Sequence, residues 1–340
     1  MPKVSFIVAV YNSMPYLKQC LDSLRAQTIK DIEIICVNDC SPDNSIDYIE
    51  SCAAEDPRIK YTTHETNKRQ GGAWNTGVRM ATGEYLCFVD ADDWLEKDYS
   101  EVLNEYDADI LCAKKWFMGN KESYNIDPDD LARYGNDLRT TILMMGCSFI
   151  TNFYKRSFIK DISFSFIENN MYQDFMTFTL YFRTDNIIVI DKVGYHYRVD
   201  NNSITRSMNQ SGFWGRLDVA KKEFETYKEL PLFINYQDAI ECHFYFLFCR
   251  NSLITSFFRF TELPKGIIKK IKDETYEIVP KIRKNPYYKD RFYKKNTKYC
   301  LPIHIFEKCP LFVFLLTHRL YILCSYKLHL FSIIRKIIKR

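Results

Sequence analysis

The chain has 340 residues, 46% hydrophobic and 26% charged, with 11 Gly and 11 Pro. Those figures exclude a collagenous, low-complexity or wholly disordered polypeptide, and at about 100–200 residues per domain the length predicts two lobes, or one lobe with a long extension. The net charge of +4 conceals an asymmetry: residues 281–340 hold 15 Lys and Arg against two acids, which leaves residues 1–280 acidic.

The first ninety residues alternate. VSFIVAV (4–10) is a continuous β-branched run, as in a buried parallel strand. Ser13-Met14-Pro15 then predicts a helix start with Ser13 as cap, running to about Gln27. IEIICVN (32–38) reads as a second strand, and Ser41-Pro42-Asp43 as the start of a second helix to about Ala54. IKYTTH (59–64) is a third strand, Ala73–Met80 a third helix, and YLCFVD (85–90) a fourth strand ending in Asp90-Ala91-Asp92-Asp93. Four alternations predict an α/β sheet with helices on both faces.

Ligands of such sheets gather at the carboxyl ends of the strands. Here those ends carry Tyr11-Asn12, Asn38-Asp39 and the Asp90–Asp93 turn. Neither the dinucleotide glycine fingerprint nor a phosphate-loop lysine follows the first strand (AVYNSMP). Two Asp one residue apart suit a hard divalent cation, but the same DADD also reads as a solvated turn with an N-cap.

Further along, DILCAKKWFM (109–118) predicts one strand, MYQDFMTFTLYFR (171–183) a helix, and IIVID (187–191) and GYHYRV (194–199) late strands. Beyond about Gly212 the pattern is helical and aromatic. The 12 cysteines are scattered without a CxxC, and several lie in apolar runs, so they are expected to be free thiols packed as small hydrophobes. The opening MPKVSFIVAVYN reads as a strand rather than a leader, and no run of 18 uncharged apolar residues predicts a transmembrane helix.

Residues 4–45 (VSFIVAVYNSMPYLKQCLDSLRAQTIKDIEIICVNDCSPDNS) and 67–94 (NKRQGGAWNTGVRMATGEYLCFVDADDW) resemble the family 2 glycosyltransferases, inverting enzymes of the GT-A fold; MYQDF (171–175) and YHYRVDNNS (195–203) add weaker matches. The resemblance covers about residues 3–205. It implies an α/β, Rossmann-like GT-A nucleotide-sugar domain over 1–205 and a mostly helical, basic extension over 206–340.

It also implies roles. Val10, Tyr11 and Asn12 would line the nucleotide pocket, and Asp39 would accept the uracil imide N–H unless it only caps the next helix. Asn75 matches the family's Asn, but Trp74 stands where Arg often precedes it; Lys68 or Arg69 would have to replace that cation. Asp92 would ligate Mn2+ or Mg2+, with Asp90 on the ribose or the metal, and Asp93 as the cap of a helix after Trp94. Asp174 would be the catalytic base, preceded by Gln173 rather than the family's Glu, with Glu168 behind it. Arg198 would grip the diphosphate or form a salt bridge, His196 reads as packed, and residues 195–203 as a lid. No Arg-Trp pair of the processive members occurs, so one sugar per event is expected.

The implied activity is metal-dependent, inverting transfer of one sugar from a UDP-sugar to a glycan or lipid-linked glycan in surface polysaccharide synthesis. A sugar nucleotidyltransferase and a non-catalytic GT-A module are the competing readings. The basic tail fits amphipathic helices on an anionic membrane, at the cytoplasmic face, with a helical pair packed on the body as the alternative. Nucleic acid is not expected as a partner.

Overall fold

The computed structural model describes residues 1–199, 210–250, 252 and 267–288. Most of the basic tail, and residues 200–203 of the expected lid, lie outside them. By chain compactness there are two units. One comprises Met1–Gly215 and Glu225–Phe233; the other comprises Arg216–Phe224 and the described residues from Ile234 onward.

In the first unit β1 (Val4–Val10), β2 (Ile32–Asn38), β3 (Ile59–Thr63) and β4 (Tyr85–Asp90) alternate with α1 (Met14–Arg25), α2 (Ser45–Glu55) and α3 (Arg69–Met80). β1, β2 and β4 are apolar and buried nearly throughout, as strands covered on both faces must be. α1 buries one stripe, Leu17, Cys20, Leu21 and Leu24, at helical spacing. Ser13 takes the expected N-cap position with Pro15 in the first turn, but without a side-chain capping bond, since its Oγ donates to the Tyr11 carbonyl.

α2 starts at Ser45 rather than Ser41, because Asp43 turns its carboxylate onto the Ser41 hydroxyl and the Ser45 N–H and shapes a loop first. α3 starts four residues before the expected Ala73. It lies close to β1, where a Cβ on Gly77 would fall 2.3 Å from Ile7 Cγ2; only glycine permits that approach.

The remaining strands are β5 (Trp94–Leu95), β6 (Ile110–Ala113), β7 (Lys115–Met118), β8 (Lys121–Tyr124), β9 (Phe153–Lys155), β10 (Ile187–Ile190) and β11 (Tyr195–Tyr197). Seven strands form one mixed sheet in the order β10-β6-β9-β4-β1-β2-β3, with β9 antiparallel to both its neighbours. Four form a second sheet, β5-β11-β7-β8. The run 109–118 is therefore two strands. It leaves the large sheet after Ala113 and enters the small one at Lys115, while the Lys114 carbonyl accepts from the Asn125 and Ile126 N–H groups at the corner.

Trp74 belongs to the core: its ring meets Phe88, Phe149 and Phe166 at centroid distances of 5.4, 5.4 and 4.9 Å. Residues Gln173–Phe182 are helical, but in the tighter 3-10 form, and the Thr177 and Thr179 hydroxyls donate to carbonyls three residues back.

The second unit is helical in its described part, with Phe233–Phe244 continuing into a π-helical turn, and a further helix over Ile267–Ile278. Within it His243 Nε2 lies 3.2 Å from Glu223 Oε1, both buried, and Lys221 pairs with Glu274 at 2.6 Å. None of the described helices is long and apolar enough to cross a membrane. The nine described cysteines are all free thiols, seven of them buried.

Candidate active site

The order β3-β2-β1-β4 places the reversal of strand order between β1 and β4, where open α/β sheets bind ligands. Val10, Asn38 and Asp90 end three neighbouring parallel strands, Asn38 level with Val10 and Asp90 with Ala9, so the expected convergence is present.

Val10 is buried, Tyr11 is 46% exposed, and Asn12 takes a left-handed φ of 52° that aims its N–H at Ser41 Oγ, 2.7 Å away. Asp39 is 2% exposed. Its Oδ1 accepts from the Lys68 N–H at 2.8 Å and lies 2.7 Å from His64 Nδ1, whose Nε2 in turn meets Thr76 Oγ1 at 2.9 Å. Among the described residues no hydrogen bond reaches Asp39 Oδ2. Asp39 thus does not cap α2; it is held by the residues that enter α3.

Asp90 through Asp93 make a turn closed by the Asp93 N–H on the Asp90 carbonyl at 3.0 Å. Trp94 enters β5, and the short helical stretch beyond it starts only at Tyr99 with Asp98 in the N-cap position, so the expected cap role of Asp93 is replaced by another. Asp93 is fully buried and both its oxygens are bound: Oδ1 by the Arg198 N–H at 2.8 Å, Oδ2 by the Tyr195 hydroxyl at 2.8 Å. The guanidinium of Arg198 donates to the Asp92 carbonyl and to Gln19, and sits 4.8 Å from the Tyr16 and Trp94 rings. It braces the turn. His196 is stacked between Trp94 and Phe117, with Nε2 on Glu96 at 2.7 Å, as a packed histidine.

Carboxylate oxygens of Asp90, Asp92 and Asp93 lie within 4.8 Å of one another. Burial, then the charges of Asp93, Asp92 and Asp174, push the Asp90 carboxyl well above the usual carboxylate range, against a hydrogen bond from Gln70. Burial and the charge of Asp92 push Asp93 up to about 8. Crowded hard oxygen donors that resist ionisation fit a divalent cation, which would relieve that repulsion.

Asp174 is exposed at the start of the 3-10 helix, and its charge is felt at Asp90. Asn75 lies elsewhere on α3 and spends its amide on a loop. Its Nδ2 donates to the Phe166 carbonyl and to Glu168 Oε1, and its Oδ1 accepts the Phe166 N–H. Asn75 and Glu168 therefore bear on the site through the segment leading to Asp174. His64, Gln70 and Tyr195, which hold the carboxylates, were not expected; a single histidine, amide or phenol carries no spacing signal.

Residues 5–163 match the family model described as Glycosyl transferase family 2. EpsH of Bacillus subtilis is 32% identical over 227 residues, covering 62% of this chain and 65% of EpsH, so the match spans under two thirds of that protein. The structure of S. aureus TarS residues 1–349 superimposes with a TM-score of 0.65 at 21% identity, covering 90% of this chain and 91% of that one. TarS has also been solved with UDP and with UDP-GlcNAc. The mannosyltransferase PcManGT of Pyrobaculum calidifontis, solved with GDP-Man and Mn2+, gives a TM-score of 0.51 at 15% identity over 89% of this chain and 86% of that one. The Rossmann-like α/β unit built on these strand ends is a glycosyltransferase domain of family 2.

Proposed function

We propose that the chain transfers one sugar from a UDP-sugar to a hydroxyl of a glycan or lipid-linked glycan acceptor, with inversion, in surface polysaccharide synthesis. The observation that carries this is the convergence of Asp39 and the Asp90–Asp93 turn on the ends of β2 and β4, the two parallel strands that flank β1. TarS supports the uridine choice, since it is solved with UDP and UDP-GlcNAc.

Asp39, immobilised through Oδ1, offers Oδ2 to the imide N–H of uracil; cytosine has no hydrogen at that ring nitrogen. Val10, Tyr11 and Asn12 border the same strand-end crevice. Asp90 and Asp92 would hold Mn2+ or Mg2+, while Asp93 is committed to Tyr195 and Arg198. Such a cation supplies charge neutralisation to the leaving diphosphate. Asp174 accepts the proton of the acceptor hydroxyl as its oxygen bonds to C1 and the C1–O bond to UDP breaks, the electron pair leaving with UDP. Arg198, braced under the turn, holds Asp92 in place.

The basic, apolar composition of residues 281–340 supports attachment to an anionic membrane surface. Vesicle co-sedimentation that falls steeply with salt is the expected result.

The test is UDP release from a panel of UDP-, GDP- and CMP-sugars by the purified chain with and without Mn2+. Metal-dependent release from one UDP-sugar is expected. Release from a GDP- or CMP-sugar instead overturns the role of Asp39.

A further inference from the structure

Gln173 is 3% exposed, and its Nε2 donates to Gln70 Oε1 at 2.7 Å. Gln70 Nε2 in turn donates to Asp90 Oδ1 at 2.5 Å. The other oxygen in this chain, Gln173 Oε1, is buried with no partner among the described residues. A buried acceptor left unpaired is unfavourable, and a leucine at 173 would avoid it. What the amide supplies is its donor.

We infer that Gln173 and Gln70 form a neutral amide relay that fixes the orientation of Asp90, and that both are positioning residues for the metal-diphosphate end of the donor site. The inference rests on the reading of Asp90 as part of that site. Polarity explains why 173 is Gln. A carboxylate there has no hydrogen for Gln70 Oε1. Gln70 would turn its NH2 group toward that new carboxylate and present its carbonyl to the carboxylate of Asp90. A further negative charge would also join Asp90, Asp92, Asp93 and Asp174.

The relay links more than two residues. Gln70 lies in the first turn of α3, two residues after Lys68, whose N–H grips Asp39. The same turn of backbone therefore sets the spacing between the carboxylate at the base and the carboxylate at the diphosphate. Gln173 directly precedes Asp174, so the relay also ties the base to Asp90. Gly71 makes this docking possible: a Cβ there would lie 2.4 Å from the Ile167 carbonyl oxygen.

The test is calorimetric UDP binding, with and without Mn2+, for the full chain and for Gln173→Glu, Gln70→Leu and Gln173→Leu. Loss of a hydrogen-bond partner behind a metal-binding carboxylate costs about 10–100-fold in metal affinity. Gln173→Glu and Gln70→Leu should each weaken Mn2+-dependent UDP binding by about that factor, with metal-free UDP binding unchanged. The loss should appear in KM for the donor more than in kcat. Gln173→Glu combined with Gln70→Lys should restore binding, because the ammonium donates to both carboxylates. Wild-type affinity in both Gln173→Glu and Gln70→Leu overturns the relay. If UDP binding by the unmutated chain ignores Mn2+, the metal reading falls instead. The relay is then decided by metal-free melting temperatures: non-additive losses for Gln70→Leu and Gln173→Leu support it, and additive losses overturn it.

Discussion

Glu33 and Asp90 belong to the same sheet, at opposite ends of its parallel strands, and their electrostatic surroundings are opposite. Glu33, near the start of β2 and 2% exposed, accepts from Ser5 Oγ and Thr82 N at 2.6 Å, Thr82 Oγ1 at 2.9 Å, Gly83 N at 3.0 Å and Lys60 Nζ at 2.6 Å. Burial acts to raise its pKa, but the bonds from Lys60, Ser5 and Thr82 outweigh it and hold the carboxyl at about 2. Asp90, at the end of β4, is crowded by Asp92, Asp93 and Asp174 and is pushed up. One end of the sheet is fully compensated and serves stability. The other is left under repulsion that a bound cation and donor would relieve.

Four experiments press on that contrast. The largest effect is expected at the uncompensated end: Asp174→Asn should keep UDP affinity and lose about 10²–10⁴ in transfer rate, measured by single-turnover kinetics. Undiminished transfer would move the base to Glu168. At the compensated end, Glu33→Gln should remove about 3 kcal/mol of stability near neutral pH, at about 1.4 kcal/mol per pKa unit. Because the folded pKa is depressed, that contribution is present above about 4.5 and fades as pH falls toward 2; denaturant titrations of both forms should converge there.

Third, Asp39→Ala should weaken uridine binding by roughly 1.5–3 kcal/mol with or without Mn2+, by calorimetry. Equal affinity removes Asp39 from base recognition. The smallest effect is a pH slope of reversed sign. Asp93 is raised from about 4 to about 8, so the metal-free chain is penalised as pH rises through that window. The rise in melting temperature on adding Mn2+ should grow between pH 5 and 8; a flat profile separates Asp93 from the metal-dependent cluster.

β1, β2 and β4 were legible because a strand buried on both faces must be a continuous apolar run, and all three match their expected bounds. The division of 109–118 was not legible. Nothing in the apolar pattern marks Lys114 as the point where the chain changes sheets, since each half pairs with strands far along the sequence. The Asp90–Asp92 pair and Asp39 were legible from their place after strands. The residues that restrain them were not: Tyr195 and Arg198 reach Asp93 across 102 and 105 residues, and Gln173 reaches Gln70 across 103. Asn75 was recognisable as a motif residue, yet its bonds to Phe166 are set by tertiary packing.

The long reach of those braces bears on how the chain is made. Neighbouring strands and their crossover helices close early, because their loops are short, whereas Tyr195 and Arg198 must be synthesised before the Asp90–Asp93 turn is held. A nascent chain ending before residue 195 has the strands that carry the crevice but lacks the two side chains that pin its acidic lip. Trp94, stacked on His196, reports that late stage. In refolding, Trp94 emission should therefore settle late, with the acidic turn the last part of the crevice to be fixed.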